Sequence, residues 1–216
     1  MKERGIIFNG EMVRAVLDGV KTQTRRPLKV QPPSDEYELL NIMSSTERSR
    51  EGKSHWAILN DSKTNVLKSD ERYFACPFGQ IGDRIWVRET FASIFKDEGP
   101  VCYRATDSSM HSGAWTPSIH MPRWASRITL EITNIRVERV QDISEQDAIA
   151  DGFKALPGCK WHTFEEADAG MPMHDHTACD AFEAFWCNQY GEESWSSNDW
   201  VWVIEFKRID NQQVAA

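Results

Sequence analysis

Residues 127–137, Arg127-Ile128-Thr129-Leu130-Glu131-Ile132-Thr133-Asn134-Ile135-Arg136-Val137, are the longest strand signal in the chain and constrain its fold most. Shorter strand signals surround them. Gly5-Ile6-Ile7-Phe8 is a short apolar run, Arg84-Ile85-Trp86-Val87-Arg88-Glu89 alternates charged and apolar residues, and Val101-Cys102-Tyr103-Arg104-Ala105 is a third. Trp200-Val201-Trp202-Val203-Ile204-Glu205-Phe206 closes the series. Helical signals lie between them. Met12, Val13, Val16 and Leu17 recur at helical spacing between Asn9, an N-cap, and Gly19, a stop. Residues 143–152 carry an N-cap serine, first-turn acids and a terminal glycine, and residues 180–190 are amphipathic. Strands interrupted by short helices predict an α+β fold, a small mixed barrel with flanking helices.

At 216 residues the chain fits one domain, 1–216, with insertions at about 31–75 and 154–179. The first insertion is rich in Ser, Glu, Lys and Asn and reads as marginally structured, with residues 55–59 and 64–67 able to pair as a hairpin. No apolar run reaches the length of a membrane span and the first residues do not read as a signal peptide, so no membrane partner is expected. Five irregularly spaced cysteines read as reduced thiols, as in a cytoplasmic protein. A net charge of −8 excludes a generic nucleic-acid binder. The charge is uneven: residues 1–30 carry seven Lys/Arg against three Asp/Glu, and residues 131–199 four against fifteen.

The basic end contains the run Gly19-Val20-Lys21-Thr22-Gln23-Thr24-Arg25-Arg26. An ammonium close to a hydroxyl can act as acid, base or charge stabiliser in acyl transfer. Adjacent arginines suit forked contacts with phosphate or carboxylate. The same residues also read as a helix end carrying dipole-favoured cations, stopped by Pro27.

Together with the 82–89 turn and strand, the 143–152 helix and the closing 202–206 strand, this run resembles the ASCH domain family, a branch of the PUA-like barrels associated with RNA. Pro117-Ser118-Ile119-His120-Met121-Pro122-Arg123-Trp124-Ala125-Ser126-Arg127 resembles the hallmark of the longer ASCH proteins of phages and prophages. The resemblance implies a PUA-like barrel with a cleft facing the lysine-threonine loop, and a nucleoside or RNA ligand. Some small members are amidohydrolases that deacetylate N4-acetylcytidine with a lysine, a threonine three residues later and a glutamate after the helix. Carried over, these are Lys21, Thr24 and Asp151; the last is one methylene shorter than the family's glutamate. Other members look like RNA binders, and ribonuclease activity has been attributed to some.

In the hydrolase reading Thr24 attacks, Lys21 handles the proton, and Asp151 either positions Lys21 or activates water. In the binding reading Arg25, Arg26, Arg88 and Arg123 neutralise phosphate and Trp86 or Trp124 stacks on a base, Trp124 being the better placed of the two. Trp86, between Ile85 and Val87, reads as core, and Glu89 either pairs with an arginine or ends its strand in solvent. His120 is the acid or base of a ribonuclease reading. Cys76 and Cys187 read as small buried hydrophobes. Cys159, His162, His174, His176 and Cys179 include pairs of zinc-ligand character, but their spacing fits no standard finger, so a polar loop without metal is expected. No cofactor is implied.

Overall fold

The computed structural model describes residues 1–42, 47–93, 100–107, 113–154 and 177–209. The fold is mixed α+β. Its strands are β1 (Glu3–Ile7), β2 (Gln23–Pro27), β3 (Glu38–Asn41), β4 (Ser54–Leu59), β5 (Val66–Ser69), β6 (Arg84–Arg88), β7 (Phe91–Ser93), β8 (Val101–Tyr103), β9 (Thr129–Arg139) and β10 (Trp200–Ile209). Four α-helices accompany them among the described residues: α1 (Gly10–Leu17), α2 (Glu145–Ala150), α3 (Ala178–Tyr190) and α4 (Glu192–Ser196). None is long and apolar enough to cross a membrane.

The main sheet has the order β1-β6-β9-β10-β2, with β1 parallel to β6 and the other pairs antiparallel. Its spine is β9 with β10, where the two strongest strand signals pair. The near-continuous apolar run of β10 marks a strand covered on both faces. Trp202, Ile204 and Phe206 join Ile6, Phe8, Ile85, Leu130 and Ile132 in one core, which α1 covers with Val13 and Val16. Val201 and Val203 face a second core with Ala148, Phe182 and Trp186, built by α2 and α3. Burying Val201, Val203 and Ile204 contributes about 1.5–3 kcal/mol each.

The starts of α1 and α2 match their sequence signals, while α3 starts at Ala178, two residues before the expected 180. The Asn9 side chain accepts from Met12 N at 2.8 Å, Ser144 accepts from Asp147 N at 3.1 Å, and Thr177 and Asp180 form a capping box on α3. Of the lysine-threonine run, Gln23–Arg26 with Pro27 form edge strand β2 on β10, and Lys21 and Thr22 lead into it. Among the described residues no ladder joins β1 to β2, so the sheet stays open at that seam.

The 31–75 region differs from the expectation of marginal structure. The hairpin is present as β4 and β5, and β3 adds a third strand. Trp56 and Tyr37 enter the first core; the Trp56 indole donates to Val30 O at 2.8 Å and packs on Trp200 with ring centroids 5.2 Å apart. Large aromatics anchor this sheet despite its polar composition.

Candidate functional site

Three local interactions aim the lysine loop. Gly19 turns the chain after α1 with φ +73°, a conformation glycine adopts without strain. Lys21 N then donates to Ala15 O at 2.9 Å, and Thr22 N to Ala150 O at 2.8 Å, stapling the loop to α1 and to the end of α2. Phe206 N donates to Thr22 O at 2.8 Å and starts the pairing of β2 with β10. At the end of α2, Gly152 has φ +99°; a Cβ there would meet Ala15 Cβ at 3.1 Å and Lys21 Cβ at 3.3 Å. A glycine is therefore what lets α2 approach Lys21 this closely.

Lys21 is 2% exposed, and its ammonium donates to Asp151 O at 2.6 Å and Oδ1 at 3.2 Å. Asp151, 3% exposed, receives Arg25 Nη1 and Gln23 Nε2 on Oδ2, the latter at 3.4 Å. Gln23 Nε2 also reaches Asp147 O at 2.8 Å and Oδ1 at 3.1 Å. The fork of Arg25 continues to Glu138 Oε1 from Nε at 3.1 Å and lies 3.5 Å from Asp147 Oδ2. Arg136 closes the cluster onto Asp147 at 2.9 Å, Glu138 at 3.1 Å and Glu205. Three cations thus meet four carboxylates, with Lys21, Arg25 and Asp151 almost wholly out of water. Paired charges of this kind are what a buried charge needs to be tolerated.

Burial pulls the Lys21 ammonium down from its ordinary 10.5; Asp151 opposes this, and Arg26 and Arg25 add to it. A buried amine whose pKa is pulled down beside a carboxylate is a recurrent feature of proton-transfer sites. Asp147 is held below 3.8: burial pushes it up, but hydrogen bonds from Gln23 and Ser144 and the charges of Arg25 and Arg136 outweigh that.

Register divides the run between two faces of β2. Arg25 lies opposite Val203 and faces the second core, where its guanidinium sits 5.7 Å from the Phe182 ring centroid. Thr24, 1% exposed, lies opposite Ile204, and Arg26 opposite Trp202, on the face of the first core. There Arg26 and Lys21 Nζ both lie over Phe8, 5.8 and 5.5 Å from its centroid. Arg26 also donates to Ile7 O at 2.8 Å and to Tyr190 Oη at 3.2 Å. Lys21, Arg25 and Asp151 are therefore brought into direct contact, while Thr24 and Arg26 share the face that carries Phe8. Arg25 is turned into the protein.

The remaining candidates lie elsewhere. Ile85 and Val87 are buried, but Trp86, expected in the core, is half-buried on the other face of β6. There its ring takes the guanidiniums of Arg88 and Arg123 at 5.5 and 6.0 Å. Arg123 is held by Glu3 at 3.0 Å and Thr129 Oγ1 at 3.2 Å, and Arg88 by Ile119 O. Trp124, in the short turn Arg123–Ala125, is 49% exposed, and His120 is exposed in the turn Ser118–His120. Glu89 is 2% exposed and pairs with an arginine, so it does not end its strand in solvent. Arg127 Nε and Nη2 meet Oε1 and Oε2, both at 2.9 Å, while the guanidinium stacks 3.9 Å from the Tyr103 centroid.

Gln23, Arg127, Arg136, Glu138 and Asp147 carry much of this geometry and were not singled out from the sequence. The alternation of Arg136 and Glu138 around Val137 was the available signal, since it sets both on one strand face. Of the cysteine-histidine group, Cys159, His162, His174 and His176 lie outside the described residues. Cys179 opens α3, its thiol pushed up to about 11 by burial and by Glu145 beside it. Cys76 and Cys187 are partly buried free thiols.

Comparison of the chain with protein-family models, curated proteins and solved structures gives no match.

Proposed function

We propose that this chain is an ASCH-type, PUA-like protein directed at nucleosides or RNA, and that it hydrolyses the acetyl amide of N4-acetylcytidine-type substrates. The observation that carries the proposal is the buried Lys21 ammonium, anchored to Asp151 and lowered in pKa by burial. The barrel assignment is supported by the way the edge strands approach: Arg26 on β2 reaches across the open seam to Ile7 O at the end of β1.

In this reading Thr24 Oγ adds to the acetamide carbonyl and gives its proton to Lys21 in its deprotonated form, which burial favours and Asp151 opposes. Collapse of the tetrahedral adduct breaks the C–N bond, and Lys21 returns the proton to the departing cytosine amine. The acetyl group is left as an ester on Thr24. Water then adds to this ester, releasing acetate and restoring the hydroxyl. Both oxygens of Asp151 are occupied by Lys21, Arg25 and Gln23, which suits a positioning residue better than a base for water.

Incubation with N4-acetylcytidine, followed by chromatography, tests this directly. Cytidine and acetate are the expected products, and Thr24→Val, which keeps the shape of the buried side chain, should abolish them while the protein stays folded. A folded wild-type protein that leaves N4-acetylcytidine intact overturns the reading.

A second reading, a non-catalytic RNA-binding or modified-base-reading module, is favoured by one observation. The guanidiniums of Arg88 and Arg123 both lie within about 6 Å of the Trp86 ring, and Trp124, next to Arg123 in sequence, is exposed, the combination of charge and stacking that binds single strands. RNA retained intact without deacetylation would support it, and strand scission would point to the ribonuclease alternative.

A further inference from the structure

A cleft of about 500 Å³ opens between the main sheet and the β3–β5 sheet, away from Lys21. Its size is that of ordinary small-ligand sites. Trp202 and Ile135 supply an apolar wall, while Asn41, Ser54 and Gln80 bring polar groups. Ser54 is 7% exposed and its hydroxyl donates to Asn41 Oδ1 at 2.6 Å, which fixes the amide so that its NH2 remains a donor. At one end stand two cations, Lys2 and Arg4.

The acid beside them is already satisfied. Asp83, 5% exposed, accepts from Lys2 N at 2.8 Å and Gln80 N at 3.2 Å. Arg4 Nη1 stays 3.5 Å from Asp83 Oδ2 and makes no hydrogen bond. Asp83 thus steers the Arg4 guanidinium by charge without using up its donors, and the side chain remains 37% exposed. Gly79, at φ +132°, keeps this corner open: a Cβ there would lie 2.9 Å from Asp83 Oδ2 and 3.2 Å from Arg4 Nη1. Among the described residues no carboxylate pairs with the Lys2 ammonium.

We propose that this cleft binds a nucleoside monophosphate, with its phosphate at Arg4 and Lys2, its ring against Trp202, and its base edge read by Asn41 and Gln80. Two partly unspent cations favour an anion, Arg4 as a fork and Lys2 as a point charge. The Asn41 amide fixed by Ser54, with the Gln80 amide and an indole beside it, favours a flat heterocycle over a simple ion. The site is independent of the Lys21 chemistry and stands or falls separately from it.

Isothermal titration calorimetry of the full chain with adenosine, guanosine, cytidine and uridine 5′-monophosphates, and with the four uncharged nucleosides, tests the proposal. At least one monophosphate should bind, and its nucleoside at least about tenfold more weakly. Arg4→Gln and Lys2→Gln should each weaken the monophosphate by about tenfold and leave the nucleoside unchanged. Lys2 is exposed, so its variant decides the matter if Arg4→Gln does not fold. The proposal is overturned if no monophosphate binds, if nucleoside and monophosphate bind alike, or if Lys2→Gln and a folded Arg4→Gln both bind as wild type does. A single-stranded trinucleotide titrated alongside tells whether a free nucleotide or a strand is the better source, and preference for either upholds the site.

Discussion

Two arginine-bearing regions use the same residue types in opposite ways. In the network at Lys21 the cations are spent inside the protein: the Lys21 and Arg25 side chains have no exposed surface, and each faces buried or half-buried carboxylates. On the face at Trp86 the arginines lean on an indole and keep part of their surface in water. A buried charge is worth what its partners make it worth, and removing one partner leaves the other stranded. A half-exposed arginine is screened and loses little when a neighbour changes. The first region should therefore govern stability and proton chemistry, and the second the salt-dependent capture of a polyanion.

The strongest way to break this contrast is Asp151→Asn. The amide keeps the shape but removes the one charge shared by Lys21 and Arg25, both without exposed side-chain surface. Stability to urea should fall by about 3–5 kcal/mol, as when a buried pair loses a partner. A loss below about 1 kcal/mol would mean the network is far better solvated than its burial implies.

Lys21→Met should cost less, about 1–2 kcal/mol, because Asp151 keeps Arg25 and Gln23 while the apolar stem is preserved. It also separates the two regions by pH. Burial puts the folded-state pKa of Lys21 below 10.5, so between the two values the unfolded chain holds one more proton. Wild-type stability should therefore rise with pH through that window relative to Lys21→Met, whose position cannot titrate. Urea midpoints of the two proteins, measured from neutral pH up to 10.5, give the difference; parallel curves would show that Lys21 is not shifted.

The skeleton of this contrast could be read from the chain, but its wiring could not. The strongest apolar runs became the paired spine β9–β10, and the capping residues Asn9 and Ser144 start their helices. The pairing of Lys21 with Asp151 was anticipated only through the family resemblance, since the two are remote in sequence. The role of Arg25 was hidden because the polar run 23–26 carries no apolar alternation to show which side faces inward; only its register on Val203 decides that. Arg136 and Glu138 were passed over because nothing in their own strand shows that Arg25 and Asp147, remote in sequence, meet them. Trp86 shows the reverse error. Alternation with Ile85 and Val87 sets it on the opposite side of β6, so their burial argued for its exposure. The β4–β5 hairpin was legible, but polar composition hid β3 and the few isolated aromatics that hold this sheet in place.

The smallest expected effect on stability sharpens the other half of the comparison. Trp124→Ala and Arg123→Gln change side chains with substantial exposure, 49% for Trp124 and 37% for Arg123. Each should move the unfolding free energy by no more than about 0.5 kcal/mol. Their effect on a single-stranded RNA should be larger and should differ in kind. Loss of a stacking indole weakens binding by about 1–3 kcal/mol at any salt concentration. Loss of a phosphate-contacting arginine lowers the slope of log affinity against log salt by about one. Fluorescence anisotropy of a labelled single strand across a salt series separates the two. If the slope falls for Arg123→Gln and not for Trp124→Ala, this face captures polyanions as its exposed arginines and indole imply. If neither variant changes binding of an RNA that the wild type holds, the ligand enters elsewhere, and the contacts of Arg88 and Arg123 with Trp86 serve only to pack β6 against the turns at Ser118–His120 and Arg123–Ala125.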